Sequence, residues 1–272
     1  MLSGLFSLAF RYFGVWIWKT ILKDLGAQTI DFRVASLIYA KAWMARYIPG
    51  TIAWVSGKVI FAKDLGISKS RLTAATFAEI GAQIAAVSAI SILLISLDSR
   101  LSTLISGSLK LLPIIVVLTL LLSLIPRNFN HLIAFTYQFI FRKPASSELS
   151  INSKAAGRAF ILENFGAFLS GAVYYFLATA ISADVKPTDF FYIAGASNLA
   201  GVIGMLTPLV PAGLGTRDVS MLVLLSAIMP KEIALVITVA SRLWTAVIDV
   251  IFFALAQIMA LGKKYTPPGS AN

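Results

Sequence analysis

The chain has no cysteine and a single histidine, His131. Disulfide staples and thiolate metal sites are therefore excluded, and neither His131 nor any other set of residues suggests a metal site or a Ser-His-Asp relay. Charge is scarce as well: 13% of the 272 residues are charged, against about a quarter in soluble domains. No Asn-x-Ser/Thr sequon occurs. A dinucleotide fingerprint is missing too, and "SGKV" at residues 56–59 fails as a P-loop, because Ile52 stands where the first glycine is needed and Val59 where Ser or Thr is. No soluble catalytic module is left over. The chain is not expected to be an enzyme, to use a cofactor or to hydrolyse ATP.

What is abundant is apolar surface. Hydrophobic residues make up 58% of the sequence and the mean hydropathy is +0.85, which is the composition of a membrane protein. Residues 72–97, 101–125, 159–183, 190–209 and 233–261 are each long enough for a hydrocarbon core about 30 Å thick, which needs about 20 apolar residues. The opening "MLSGLFSLAFRYFGVWIWKTILK" lacks signal-peptide order, since Arg11 interrupts its apolar run and no small-residue cleavage site follows. It reads as a retained span or an interfacial helix. The expectation is one all-α polytopic domain over residues 1–272, with about 7–8 membrane segments once the broken stretches below are counted.

The net charge of +11 points to anionic lipid headgroups and a positive-inside topology rather than to nucleic acid. The one long polar connection, residues 126–158, carries Arg127, Arg142, Lys143, Lys154 and Arg158 against Glu148. It should be a cytoplasmic linker between halves at roughly 1–125 and 159–264. Its middle, "HLIAFTYQFIF", looks like an interfacial helix and "RKPASSELSINSK" like a flexible tether. The C-terminal tail after Lys263 and Lys264 is expected on the same side of a cell membrane.

Two stretches break the apolar pattern. "RYIPGTIAWVSGKVIFAK" contains Pro49, Gly50, Thr51 and Lys58; "TPLVPAGLGTRDVS" contains Pro211, Gly213, Gly215, Thr216, Arg217 and Asp218. Each is a Pro/Gly break, then a short apolar stretch with one basic residue, then a long helix with a charge inside it. The two read as an internal repeat, inverted in the membrane. Paired broken segments of this kind point to a transporter binding site, because irregular backbone at membrane depth survives only against protein or a water-filled cavity. A helix starting there aims free N–H groups and a positive dipole end at the cavity, and Thr51 and Thr216 are candidate N-caps. Lys58 and Arg217 are the candidate donors to a phosphate held between the two helix starts, with Arg217 adding a forked donor suited to it. The competing reading is a pair of tight turns between helices, without a cavity.

Charges within the spans carry further information. Glu79, Glu163, Arg242 and Asp249 each lie in an otherwise apolar helix and should face inward, paired or hydrated. Gln83 shares a face with Glu79, and Asp249 shares one with Arg242. These five residues form the candidate polar lining or gate, with a Glu79–Arg242 ion pair between the halves as one arrangement. Static pairs that merely hold the bundle together are the alternative. Residues 190–209 carry small residues at Ala196, Ala200 and Gly204, and at Ser197 and Gly201, a close-packing face. Asn198 on that helix is expected to hydrogen-bond between helices.

At these residues the sequence resembles the flippase-like transmembrane domain of lysylphosphatidylglycerol synthases, in a stand-alone form without the synthase domain. The resemblance lies in "ARYIPGTIAWVSGKVIFAKDLGISKSRLTAATFAE", "PLVPAGLGTRDVSMLVLL" and "ASRLWTAVIDV". Two positions depart from it: Lys58 stands where arginine is common and Asp218 where glutamate is common. The resemblance implies translocation between leaflets of a phosphate-headgroup lipid, either an aminoacylated phospholipid or a polyprenyl-phosphate-linked sugar. Two other readings stay open: a secondary transporter of a small anionic or organic solute, and a non-transporting scaffold for a membrane-bound synthase or glycosyltransferase. Membrane lipids are the expected partners, with self-association into a homo-oligomer a further one.

Overall fold

The computed structural model describes residues 1–47, 52–62, 65–102, 111–123, 125–141, 150–207 and 213–261. Every regular element among them is helical. The helices are α1 (Leu2–Asp24), α2 (Phe32–Met44), α3 (Ile52–Phe61), α4 (Lys69–Ser96), α5 (Ser99–Ser102), α6 (Leu112–Ser123), α7 (Pro126–Phe141), α8 (Ser153–Ile181), α9 (Phe190–Met205), α10 (Thr216–Leu225) and α11 (Lys231–Ala260), with short 3-10 turns at Ala45–Tyr47 and Pro187–Asp189.

Local chemistry explains several of the starts. Asp31, Ser68 and Asn152 each sit just before a helix and accept a hydrogen bond from a first-turn amide, of Arg33, Arg71 and Ala155 respectively. Helix α10 begins differently. Gly215 is the N-cap at φ +85°, a left-handed conformation that disfavours any side chain, and the Asp218 carboxylate reaches back to accept from its N–H at 3.1 Å. Thr216, expected as the cap, is the first helical residue instead, with its hydroxyl directed at the Gly213 carbonyl. Thr51, the other expected cap, lies with Pro49, Gly50 and Pro211 outside the described residues.

Helices α4, α8 and α11 are each long and apolar enough to cross a membrane. Helix α11 turns Leu235, Val239, Leu243, Val247, Val250 and Ile258 outward, a stripe that suits lipid and not water. Helix α4 is the central one, with Ala74, Ala75, Ala78, Ala82 and Ala86 at most 1% exposed, so that neighbouring backbones approach it closely. The opening segment is fully helical as α1. It buries Ser3, Ser7, Arg11, Val15, Trp18 and Leu22 along one face, at the three- and four-residue spacing of a helical stripe, and packs along α8.

Of the span expected at 101–125, the described part is α6 and the end of α5. Of the expected linker 126–158, residues 126–141 form α7, whose Phe129 and Ile133 are buried in the main core with residues of α4, and residues 153–158 are the first turns of α8.

The halves match as quartets. Helices α1 to α4 have 23, 13, 10 and 28 residues; α8 to α11 have 29, 16, 10 and 30. Exchanging the quartets preserves the neighbours: α3 packs on α2 and α4, α10 on α9 and α11, while α4 lies on α9 and α11 on α2. The directions are opposed. Asp24 at the end of α1 pairs with Arg158 near the start of α8 at 2.9 Å, whereas Ser3 at the start of α1 donates to the Val173 carbonyl far along α8. Helices α1 and α8 thus run antiparallel where the quartets meet, with α5 to α7 inserted between the quartets.

Candidate functional site

Three polar centres sit in this apolar frame. In the first quartet, Lys58 of α3 and Glu79 of α4 form a buried ion pair, Nζ to Oε2 2.5 Å, with side chains 0% and 4% exposed. The other Glu79 oxygen accepts from the Tyr39 hydroxyl of α2 at 3.0 Å, and the Lys58 ammonium lies 4.1 Å from the centroid of the same ring. Glu79 thus pairs with Lys58, not with Arg242. Lys58 stands on the short helix next in sequence, only one turn of chain away.

The second centre is Asp249 of α11, fully buried. Its Oδ1 accepts from Arg11 of α1, at 2.7 and 2.9 Å, and from the Trp43 indole of α2 at 3.0 Å; its Oδ2 accepts from Arg46 at 3.0 Å and from the Tyr47 hydroxyl at 2.7 Å. One carboxylate of the second quartet therefore gathers α1, α2 and the following turn of the first. With two guanidiniums and two further donors it is well compensated for its burial. Neither Arg11 nor Arg46 stands out as a site residue in the sequence; Arg11 shows there only as an interruption of an apolar run.

The third centre is looser. Arg242 of α11 lies 3.9 Å from Asp218 of α10, with side chains 22% and 31% exposed. Arg217, beside Asp218 in the chain, points the other way. It is 8% exposed, donates to the Tyr174 hydroxyl of α8 at 2.5 Å and makes no ion pair with any described residue. Its position depends on glycine: a Cβ on Gly204 of α9 would lie 2.8 Å from the Arg217 Cβ, and one on Gly213 would lie 2.7 Å from the Gly204 Cα. Gly204 and Gly213 let α9 and the start of α10 approach at backbone contact.

Between the quartets lies a cavity of about 180 Å³. Arg11, Arg46 and Arg217 line it together with Glu163 of α8, Gln83 of α4, Tyr174, Asn198 and Gly213. Glu163 is 4% exposed, and its carboxylate has no hydrogen bond or ion pair among the described residues. A second void of about 10 Å³ adjoins the first and is lined by Glu79, Tyr39, Gln83, Arg11 and Glu163, room for roughly one water. Asn198 lines the large cavity and also donates to the Ala167 carbonyl of α8 at 2.8 Å, the inter-helix role expected of it.

The candidate residues therefore separate. Gly213, Arg217, Gln83 and Glu163 meet in the cavity; Lys58 and Glu79 form a closed pair behind it; Asp249 reaches it through Arg11, Arg46 and Trp43. Gly215, Thr216 and Asp218 stand at the start of α10, with Arg242 of α11 facing Asp218, all outside the lining. The free N–H groups at that helix start are partly satisfied by Asp218 itself, so the cation presented to the cavity is a side chain, not the helix end.

An all-helical membrane bundle with an arginine-lined cavity between two helix quartets is the class of protein these features define. The chain belongs to the family described as the lysylphosphatidylglycerol synthase TM region, which matches residues 1–252. A comparison with curated proteins gave no match.

Proposed function

We propose that the protein translocates a lipid bearing a phosphate headgroup between the leaflets of the membrane. The observation that carries this reading is Arg217, a guanidinium buried at the cavity wall with a tyrosine hydroxyl but, among the described residues, no carboxylate for a partner. A buried cation without a counter-ion is costly, and a phosphate supplies both the charge and the bidentate acceptor geometry that arginine favours. Arg11 and Arg46 line the same cavity and share the single carboxylate Asp249 between them. The site thus has an excess of positive charge that suits an anionic guest.

The rim supports a lipid over a soluble anion. Met205 and Gly213 line the cavity, and their neighbours Leu206 and Leu214 are 60% and 53% exposed. Apolar surface adjoins the cationic pocket, so acyl chains can stay in the bilayer while the headgroup enters. Phosphate arriving at Arg11 and Arg46 competes with Asp249 for the same guanidiniums. Asp249 is the tie between α11 and the first quartet, so headgroup binding loosens that tie and lets the quartets rock. Such motion of one repeat against the other is how inverted repeats alternate access. Aminoacylated phospholipids and polyprenyl-phosphate-linked sugars both carry the required phosphate, and the protein acts here as a transporter and not as an enzyme.

The test is reconstitution into phosphatidylcholine vesicles containing a trace of fluorescent phosphatidylglycerol, with an impermeant quencher reporting leaflet exchange. The wild-type chain is expected to speed exchange and Arg217→Ala to lose it while remaining folded. Equal exchange by both proteins would remove Arg217 from the site.

A further inference from the structure

An ionised Glu163 offers no donor to a phosphate, yet it is the acidic group on the cavity wall. The groups that face it are few. From α1 comes Arg11, already held by Asp249 of α11; from α4 come Glu79 and Gln83, with Lys58 of α3 and Tyr39 of α2 behind Glu79. Helix α9 offers the uncharged Ser197 and Asn198, and Arg217 of α10 lines the same cavity. The Lys58 ammonium is bound to Glu79 at 2.5 Å. Two buried carboxylates, Glu79 and Glu163, thus share the neighbourhood of one lysine, and only Glu79 has it as a partner.

A carboxylate 4% exposed and without a donor needs a compensating charge or must become neutral. The smallest compensation is a proton. Water can deliver it, because Glu163 lines both the large cavity and the adjoining small void. The sequence meanwhile contains no nucleotide-binding loop to drive transport.

We infer that Glu163 is a proton-binding site that couples headgroup transport to the transmembrane proton gradient, an inference that rests on the lipid-translocation reading above. Protonation removes a negative charge from a cavity lined by Arg11, Arg46 and Arg217 and strengthens its hold on phosphate. By reciprocity, a bound phosphate favours the protonated acid. Proton and anionic headgroup therefore bind together, cross together and leave together, so the lipid accumulates on the side to which protons flow. With one proton per lipid, a gradient of about one pH unit supports about a tenfold ratio of the anionic lipid between leaflets.

Two measurements on the full-length chain test this separately. Infrared difference spectra of the purified protein, taken from mildly alkaline to mildly acid pH, should show a protonated-carboxyl band that is absent in Glu163→Gln and displaced in Glu163→Asp. Thermal unfolding of both variants confirms that they are folded. In vesicles with an imposed pH gradient, labelled phosphatidylglycerol should accumulate on the alkaline side with the wild-type chain, and Glu163→Gln should lose that bias. Identical titrating spectra in wild type and Glu163→Gln would overturn the proton site whatever the transport result. A titrating band together with lipid exchange indifferent to the gradient would overturn the coupling and leave translocation standing. A titrating band with no lipid exchange at all would overturn translocation and leave the proton site standing.

Discussion

Helices α3 and α10 have 10 residues each, follow corresponding breaks and occupy corresponding places in their quartets, yet their charges do opposite things. On α3 the base Lys58 faces the acid Glu79 on the long helix α4, and both are dry. On α10 the polarity is reversed: the acid Asp218 faces the base Arg242 on the long helix α11, and both are partly open. The second site then adds Arg217, turned toward the cavity. The same framework is dry in one quartet and partly open in the other. What differs is the partner count: Lys58 has a carboxylate at contact distance, whereas Arg217 has a tyrosine.

The largest effect should come from opening the closed site. Glu79→Gln or Lys58→Met leaves one buried charge unpaired, which costs about 3–5 kcal/mol, whereas removing both charges together with similar-sized apolar residues should recover most of the loss. Asp218→Asn or Arg242→Gln breaks a long, partly exposed pair and should cost less than about 1 kcal/mol. Thermal unfolding in detergent measures all of these. Equal losses at the two sites would end the distinction between a structural pair and an open one.

The glycine crossings come next. A Cβ on Gly204 would lie 2.8 Å from the Cβ of Arg217, while one on Gly57 of α3 would lie 3.2 Å from the Cα of Ala42 on α2. Gly204→Ala should therefore act as overpacking, at about 1–3 kcal/mol, and push Arg217 off Tyr174. Gly57→Ala requires a smaller adjustment and should be the milder variant. Comparing their unfolding midpoints, and their lipid exchange, sharpens the contrast; a harsher Gly57→Ala would reverse it.

How much of this was readable in the sequence follows from the range of each interaction. The all-helical membrane fold and the long helices α4, α8 and α11 came from runs of apolar residues, a local signal. The correspondence of the two broken stretches was visible as well, because Pro, Gly and a basic residue recur in order, although their backbone geometry was not. The inward charges Glu79, Glu163 and Asp249 were legible, since an apolar helix gives a charge few other places; Arg242, read the same way, is only partly buried. Their partners were not. Asp249 meets Arg11 across 238 positions, and nothing in either local sequence specifies the other. The choice of Lys58 over Arg242 for Glu79 depends on how α3 folds back onto α4. The cap of α10 fell to Gly215 rather than Thr216 because the turn requires a positive φ, which composition alone does not assign to one glycine among several.

Arg217→Ala should be a functional rather than a structural lesion. We expect lipid exchange to fall by at least about tenfold, equivalent to about 1.4 kcal/mol in the barrier, with an unfolding midpoint close to that of the wild type. Arg217→Lys keeps the charge without the fork and should fall between. The matching substitution in the other quartet, Lys58→Ala, should do the reverse and harm stability before it harms exchange. Loss of stability as large in Arg217→Ala as in Lys58→Ala would show that both short helices are structural.

The smallest effect lies where the quartets meet at the end of the bundle remote from the basic Lys69, Arg71 and Arg158. There Arg100 pairs with Asp98 at 2.7 Å, just past α4, and with Asp189 at 2.9 Å, just before α9. The hydrogen bonds from Arg100 hold the Asp98 carboxyl below the ordinary aspartate range, against a weaker opposing effect of burial. A carboxyl with a lowered folded pKa adds stability above its ordinary value and loses that contribution as pH falls through the folded value. The unfolding midpoint should therefore decline below the ordinary aspartate range, and Arg100→Gln should flatten part of that decline. The Arg100 side chain is 39% exposed, so the effect should be modest and should shrink in high salt. The contrast with Lys58 and Glu79 is again one of hydration: an ion pair that water reaches responds to salt, and a dry one should not. An acid-induced decline identical in wild type and Arg100→Gln would assign it to other carboxylates.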